Sequence, residues 1–251
     1  MKKTILFLTL AISTLALTTA RAQLGGRGGG GPNFSDAMAK LFGEHQQFTA
    51  VMEAETDMGD GKTMTLPGKL SFDSGKARFE MNMSEMKGGS MPPDFAEQMK
   101  AMGMDQMVSI SRPDKNVMYV IYPANQCYME QAMSAKSGSA PAEDFKIQTT
   151  ELGKESADGH DCLKNKVIVT DKEGTKHEST VWNATDLKKF PVKIETTEQG
   201  HKAVMHFKNV AFTAPAAAQF DAPAGFKKYS NPQQMMQEMM MKKMGGMKMP
   251  Q

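Results

Sequence analysis

The chain has 251 residues, of which 40% are hydrophobic and 7% aromatic, and its formal net charge is +2. This length fits one domain of about 200 residues with flanking segments. So small a net charge gives no reason to expect nucleic acid or an anionic membrane as a partner.

The first 22 residues have the three parts of a secretory signal peptide. Lys2 and Lys3 form the positive start, residues 5–17 form the apolar run, and Ala-Arg-Ala at residues 20–22 forms the cleavage site. We expect cleavage after Ala22 and export to the periplasm or beyond the cell. The run is shorter than the ~20 apolar residues of a transmembrane helix, so the mature protein is not expected to span a membrane.

Residues 23–35 are rich in glycine, which is typical of a flexible linker. The main domain is expected to follow over residues 36–230. It should begin with a short helix, because Leu41 and Phe42 continue an apolar pattern at helical spacing after a possible cap at Ser35.

Alternating apolar and polar residues predict strands in the first half of the domain. The alternation from Phe48 to Glu55 has the period of a half-buried strand. Two further strands form a predicted hairpin around Asp73-Ser74-Gly75, with Phe72 and Phe79 on the core face. Residues 84–106 break this pattern, and they are expected to form a methionine-rich insertion containing a helix.

The clearest strand pattern lies in the second half. Four apolar or alternating runs cover residues 163–170, 175–182, 192–197 and 202–212, and turn-forming residues separate them. Short strands at such spacing predict an antiparallel meander rather than strands alternating with helices.

Several motifs in this half carry a family resemblance. In order they are Gly153, Glu155, Gly159, His160 and Cys162, then Val181-Trp182, then Phe190-Pro191-Val192-Lys193, then Phe220, Pro223, Gly225 and Phe226. The order resembles an uncharacterised periplasmic domain family related to the lipoprotein carriers LolA and LolB. The resemblance covers roughly residues 48–229. It implies a mainly β fold: a single curved antiparallel sheet, or half-barrel, whose open side is covered by short helices around an apolar cavity.

The resemblance also implies a function. In the carriers the cavity holds the acyl chains of a lipoprotein, so the expected partner is a hydrophobic small molecule or an acylated protein. Phe72, Phe79, Trp182 and Phe207 are the candidate wall residues, although for the first two packing in the core is the stronger expectation. No histidine or serine motif assembles a catalytic group. A binding protein without a cofactor is therefore predicted rather than an enzyme.

Cys127 and Cys162 are the only cysteines. In an oxidising compartment such a pair most often forms a structural disulfide, which would stabilise the fold by roughly 3 to 4 kcal/mol. We therefore predict a Cys127–Cys162 bridge. The alternative is two free or metal-binding thiols.

Methionine is unusually frequent, with 25 residues concentrated in the insertion and in the C-terminal segment 231–251. That segment is expected to form a helix or a tail. As a helix it has one apolar stripe, formed by Met235, Met236, Met239, Met240 and Met244. Three hypotheses are open. The stripe is a deformable lid over the cavity, or its thioethers bind a soft ion such as Cu(I) or Ag(I), with copper as the cofactor, or it has no ligand and its thioethers are oxidised harmlessly.

Overall fold

The computed structural model describes residues 36–58, 61–88, 94–133, 145–171, 173–198 and 201–245. The predicted signal peptide and linker, residues 1–35, lie outside these ranges. The described helices are α1 (Asp36–Leu41), α2 (Phe95–Ala101) and α3 (Pro232–Gly245). The described strands are β1 (Gln47–Asp57), β2 (Thr63–Asp73), β3 (Lys76–Asn82), β4 (Lys87–Gly88), β5 (Gln106–Arg112), β6 (Val117–Tyr122), β7 (Cys127–Ala132), β8 (Lys146–Ala157), β9 (His160–Thr170), β10 (Lys176–Ala184), β11 (Phe190–Glu198), β12 (His201–Ala211) and β13 (Lys227–Tyr229).

All these strands belong to one open sheet. Its order is β13-β7-β6-β5-β3-β2-β1-β12-β11-β10-β9-β8, and β4 pairs with β2 beside this path. Every pairing is antiparallel except that of β13 with β7. The predicted mainly β architecture, one antiparallel sheet with a few short helices, is therefore confirmed, and so is the meander from β8 to β12.

The two faces of the sheet differ in character. On the face that we call the inner face, Phe48 of β1 pairs with Phe72 of β2, and Met52 pairs with Phe207 of β12. These side chains are at most 1% exposed and belong to the main hydrophobic core. Residues of all three helices, among them Met99 of α2, pack against the same core. The helices therefore cover the inner face, and we call the opposite side the outer face.

A strap crosses the outer face at the β13 end of the sheet. Residues 212–226 connect β12, in the middle of the sheet, with β13 at its edge, and Phe220 is fully buried in a second core with Ile110 and Ile121. Arg112 donates to the Phe220 carbonyl and to the Asp221 carboxylate. Lys115 and Arg112 hold the pKa of Asp221 below its ordinary value. The strap thereby fixes the position from which β13 and α3 begin.

Helix α3 begins as its sequence predicts. The backbone N–H of Gln233 donates to Oδ1 of Asn231 at 2.8 Å, which caps the helix, and Pro232 occupies the first helical position. In the described part of the chain, no helix is long and apolar enough to cross a membrane.

Gly68 allows β2 and β3 to pack closely beneath the inner core. A Cβ atom added there would lie 2.4 Å from the Phe79 ring and 2.5 Å from the Glu80 carbonyl oxygen. Both distances are well inside van der Waals contact, and the carbonyl belongs to the backbone, which cannot easily move away. Glycine in the middle of a strand is explained here by this close approach.

We therefore expect Gly68→Ala to lower the free energy of unfolding by about 1 to 3 kcal/mol, because the extra methyl group overpacks this contact. Urea denaturation followed by circular dichroism measures the change. Ser71→Ala, three residues along the same strand, is the matched control and should change stability much less. Equal stability of Gly68→Ala and the original protein would show that the contact can relax freely.

Candidate functional site

The inner face is centred on Phe42, directly after α1. The ring centroid of Phe42 lies 4.8 Å from that of Phe48, 5.2 Å from Phe72, 5.5 Å from Phe207 and 5.9 Å from Phe190. These separations are typical of favourable aromatic pairs. Phe42 therefore ties α1 to four strands, β1, β2, β11 and β12, at once. We call these five rings the Phe42 cluster.

Three of the four predicted cavity residues lie on the inner face. Phe72, Phe79 and Phe207 are each 1% exposed and belong to one core. The protein's own side chains enclose them, so in this conformation they act as core rather than as the wall of an open cavity. A ligand could contact them only if one of the covering helices moved.

Trp182 is 3% exposed and belongs to the same core cluster as these three residues, but its side chain leaves its strand on the other face. Its neighbour Val181 pairs with Ile194, which pairs with Met205, on the inner face of β12. Since adjacent side chains of a strand point to opposite faces, Trp182 lies on the outer face. There it pairs with Lys164 on one side and Lys193 on the other.

The methionine stripe of α3 rests on the inner core. Met235 is 1% exposed, and Met236 and Met239 are partly buried against the same core. Met241, on another side of the helix, is 65% exposed. The side chains of Met240 and Met244 are outside the described set. Three of the five predicted thioethers thus pack against the protein.

A polar contact joins α3 to β13. Glu238 forms an ion pair with Lys227 of β13, and both side chains are partly exposed to solvent. Such exposed pairs contribute little to stability, about 0 to 1 kcal/mol. Docking of α3 therefore depends mainly on its buried methionines.

The predicted disulfide is not formed. Cys127 and Cys162 are both buried, and no disulfide joins them. Eight strands of the sheet separate β7, which contains Cys127, from β9, which contains Cys162, whereas a disulfide needs Cα atoms within about 7 Å. Burial raises the pKa of the Cys162 thiol, which keeps it in the unreactive protonated form.

The described residues contain no group of three or more His, Cys, Asp or Glu side chains placed to hold a metal ion. A shallow open groove lies beside α2, lined by Asp94, Glu97, Gln98, Ala101 and Met102. Its walls come from one short helix and the residues that flank it. The candidate site is therefore the inner face under α1 and α3 rather than this groove.

Sequence reasoning did not find the role of Phe42, which it placed only on the first helix, nor the two lysines beside Trp182. The alternation of β11 does put Lys193 on the polar side of its strand. Without the strand register, however, nothing indicates that Lys164, Trp182 and Lys193 form one row across three strands.

The chain belongs to the family described as Domain of unknown function (DUF4412), whose match covers residues 48–190. This confirms the predicted membership of an uncharacterised domain family. No curated protein matches the sequence significantly.

Solved structures with a similar strand arrangement include three proteins of low sequence identity. A LolA superfamily protein from Nitrosomonas europaea has 9% identity and a TM-score of 0.38, covering 75% of this chain and 96% of its own. Lipoprotein LppX from Mycobacterium tuberculosis has 11% identity and a TM-score of 0.38, covering 72% and 92%. LprF from Mycobacterium bovis has 12% identity and a TM-score of 0.38, covering 76% and 94%.

Replacing Phe42 with alanine should destabilise the protein by about 3 to 5 kcal/mol, because it removes the central ring and leaves a cavity among four others. Phe212→Ala is the matched control: Phe212 is 38% exposed and contacts the cluster only through Phe190. We expect the control to cost much less. Thermal or urea unfolding measures both, and equal losses would contradict the central position of Phe42.

The absence of a Cys127–Cys162 disulfide is tested by labelling without a reductant. Unfolded, unreduced protein should react with two maleimide groups per chain, because neither Cys127 nor Cys162 is bridged. The folded protein should react slowly, since both side chains are buried. Intact mass spectrometry counts the added groups. An unlabelled chain with a two-hydrogen deficit would show that the bridge forms after all.

Proposed function

We propose that this protein is a non-enzymatic binding protein for a hydrophobic or lipid-like ligand, which it holds against the inner face of its sheet. The observation that carries the proposal is the continuous apolar inner face. In the described part of the chain, short helices rather than a second sheet cover this face. A large apolar surface under a displaceable cover is what a ligand with an alkyl chain requires.

The route to this face leads past α3. The helix is held by Met235, by two partly buried methionines and by one exposed ion pair with Lys227. Methionine side chains are unbranched and polarisable, so they repack around ligands of different shapes. The helix can therefore serve as a lid whose thioethers pack first on the protein and then on the ligand. The Phe42 cluster would stay closed while α3 moves.

The proposal includes the compartment and the partner class. The signal-peptide pattern of residues 1–22 supports the periplasm or the extracellular space as the place of action, with cleavage after Ala22. There the protein would carry a hydrophobic small molecule or the acyl chains of an acylated protein. Binding alone accounts for this role, and no catalytic step belongs to it.

A pair of variants on α3 tests the lid. Met235→Asp places a carboxylate in the core and should undock the helix, whereas Met241→Asp places the same carboxylate at an exposed position of the same helix. If closure of α3 competes with ligand, Met235→Asp should bind a fluorescent fatty acid at least about tenfold more tightly, because undocking no longer costs binding energy. Met241→Asp should bind as the original protein does.

The original protein should bind the fatty acid saturably with a stoichiometry near one. Fluorescence titration measures both quantities, and circular dichroism confirms that the variants remain folded. If neither the original protein nor Met235→Asp showed saturable binding, the proposed function would be excluded. Equal affinities of the two variants would reject α3 as the lid while leaving the ligand class intact.

A soft-metal function predicts a different outcome with another variant. Deleting residues 231–251 should remove most Cu(I) or Ag(I) binding if the stripe is a metal site. The same deletion should leave fatty-acid binding in place, or weaken it only gradually, if the sheet holds the ligand. Parallel titrations of the truncated protein with Cu(I) and with fatty acid separate the two functions.

A further inference from the structure

A row of three side chains crosses the outer face, on the side of the sheet away from the proposed lipid site. Trp182 of β10 pairs directly with Lys164 of β9 and with Lys193 of β11. The Lys164 and Lys193 ammonium groups lie 4.9 Å and 4.3 Å from the Trp182 ring centroid. Both are therefore in cation–π contact with one indole. We call these three residues the Trp182 row.

The indole N–H of Trp182 is a buried donor that meets no acceptor in hydrogen-bonding geometry among the described residues. Trp182 is 3% exposed, and its Nε1 atom forms no hydrogen bond with any described residue. Buried polar groups in folded proteins are almost always paired, so an exception calls for an explanation. An acceptor supplied from outside the chain would provide one.

Lys193 also forms no close ion pair among the described residues. Five other basic side chains on the outer face of β9 to β12 have carboxylate partners within 3 Å; the pairs are Lys164–Glu155, Lys166–Glu178, Lys202–Glu195, His206–Asp158 and Lys208–Glu53. Lys193 has no carboxylate within 4 Å among the described residues, although it is half-buried beside an aromatic ring. The row therefore has one cation outside any close ion pair, next to one donor that meets no acceptor in hydrogen-bonding geometry. Both groups act on the nearby Glu155 carboxylate, whose pKa they lower.

The Glu155 carboxylate marks where an anion can sit. It accepts a hydrogen bond from Lys164 at 2.7 Å, and its side chain is 47% exposed. Lys164, then Trp182 and Lys193, lower the pKa of this carboxyl group. Glu155 belongs to β8, which is the edge strand, so its side chain can swing into solvent without disturbing a second neighbouring strand.

The end of β8 bends over the row. A register irregularity lies between Glu151 and Gly153, and Gly153 has a φ of +122°, which is accessible mainly to glycine. Beyond it, Asp158 in the turn before β9 contacts His206 of β12 at 2.7 Å. These features lie beside both lysines of the row, since Gly153 pairs with Lys164 and His206 pairs with Lys193.

We propose that the Trp182 row is a binding site for an oxyanion, a phosphate or carboxylate group, which takes the place of the Glu155 carboxylate. The anion accepts from the indole N–H and from both ammonium groups, and so pairs Lys193 and Trp182 at once. Charge-assisted hydrogen bonds of this kind are among the stronger ones in proteins. The site does not depend on the proposed lipid function, because it lies on the other face of the sheet.

The protein provides its own probe, since Trp182 is the only tryptophan of the chain. Inorganic phosphate, titrated at constant ionic strength, should change the intrinsic fluorescence saturably. Lys193→Gln should bind about tenfold more weakly because it removes one charged donor. Glu155→Gln should bind several-fold more tightly because it removes the charge of the internal competitor. Lys202→Gln, which removes an ion-paired lysine on the same face, is the matched control and should leave the affinity unchanged.

The source of the oxyanion is distinguished by parallel titrations with phosphatidylglycerol and phosphatidylcholine vesicles. A response to inorganic phosphate assigns the site to a free oxyanion, and a response only to phosphatidylglycerol assigns it to an anionic lipid headgroup. Either result, with the loss in Lys193→Gln, supports the site. No saturable response to any of the three, a response that chloride reproduces, or equal affinities of Lys193→Gln and Lys202→Gln would overturn it. Fatty-acid binding by Lys193→Gln, measured alongside, should match that of the original protein.

Discussion

The packing of Phe42 against four other aromatic rings is the contact on which the rest of the structure depends. Its partners come from strands on both sides of the β1–β12 junction, where the first and second halves of the sheet meet. Burying five phenylalanine rings in one place supplies much of the apolar area that an open sheet otherwise lacks. The inner face is therefore closed around this cluster, and any ligand has to enter elsewhere.

The two faces of the sheet have separate chemistry because strand alternation segregates their side chains. The inner face is apolar and rests under helices, among which α3 is docked mainly through methionine. The outer face is charged except where residues 212–226 bury Phe220. The strap also connects the faces, since it carries the chain across the outer side to the start of α3. Anchoring by Arg112 therefore fixes one end of the proposed lid while its remaining length can move.

The sequence predicts the positions of the strands well, but it predicts poorly which residues come together across the sheet. In β1 the alternation of apolar and polar residues from Phe48 to Ala54 indicates directly which face of the strand is buried. At Val181 and Trp182 two apolar residues are adjacent, so alternation cannot assign the tryptophan to a face. The strand register and the lysines on either side of Trp182 show that it lies on the outer face. The Cys127–Cys162 pairing failed because separation along the chain contains no information on separation across a sheet. The caps of α3 were predictable, since capping depends on local residues alone.

The most direct test of the central claim, that the inner face holds a hydrophobic ligand, is native mass spectrometry of the protein purified without added ligand. The account predicts a co-purifying mass in the range of a lipid or an acyl chain, which collisional activation releases intact. It also predicts that Met235→Asp retains at least as much of this mass as Met241→Asp does. A bare chain in every preparation, including both variants, would contradict the claim.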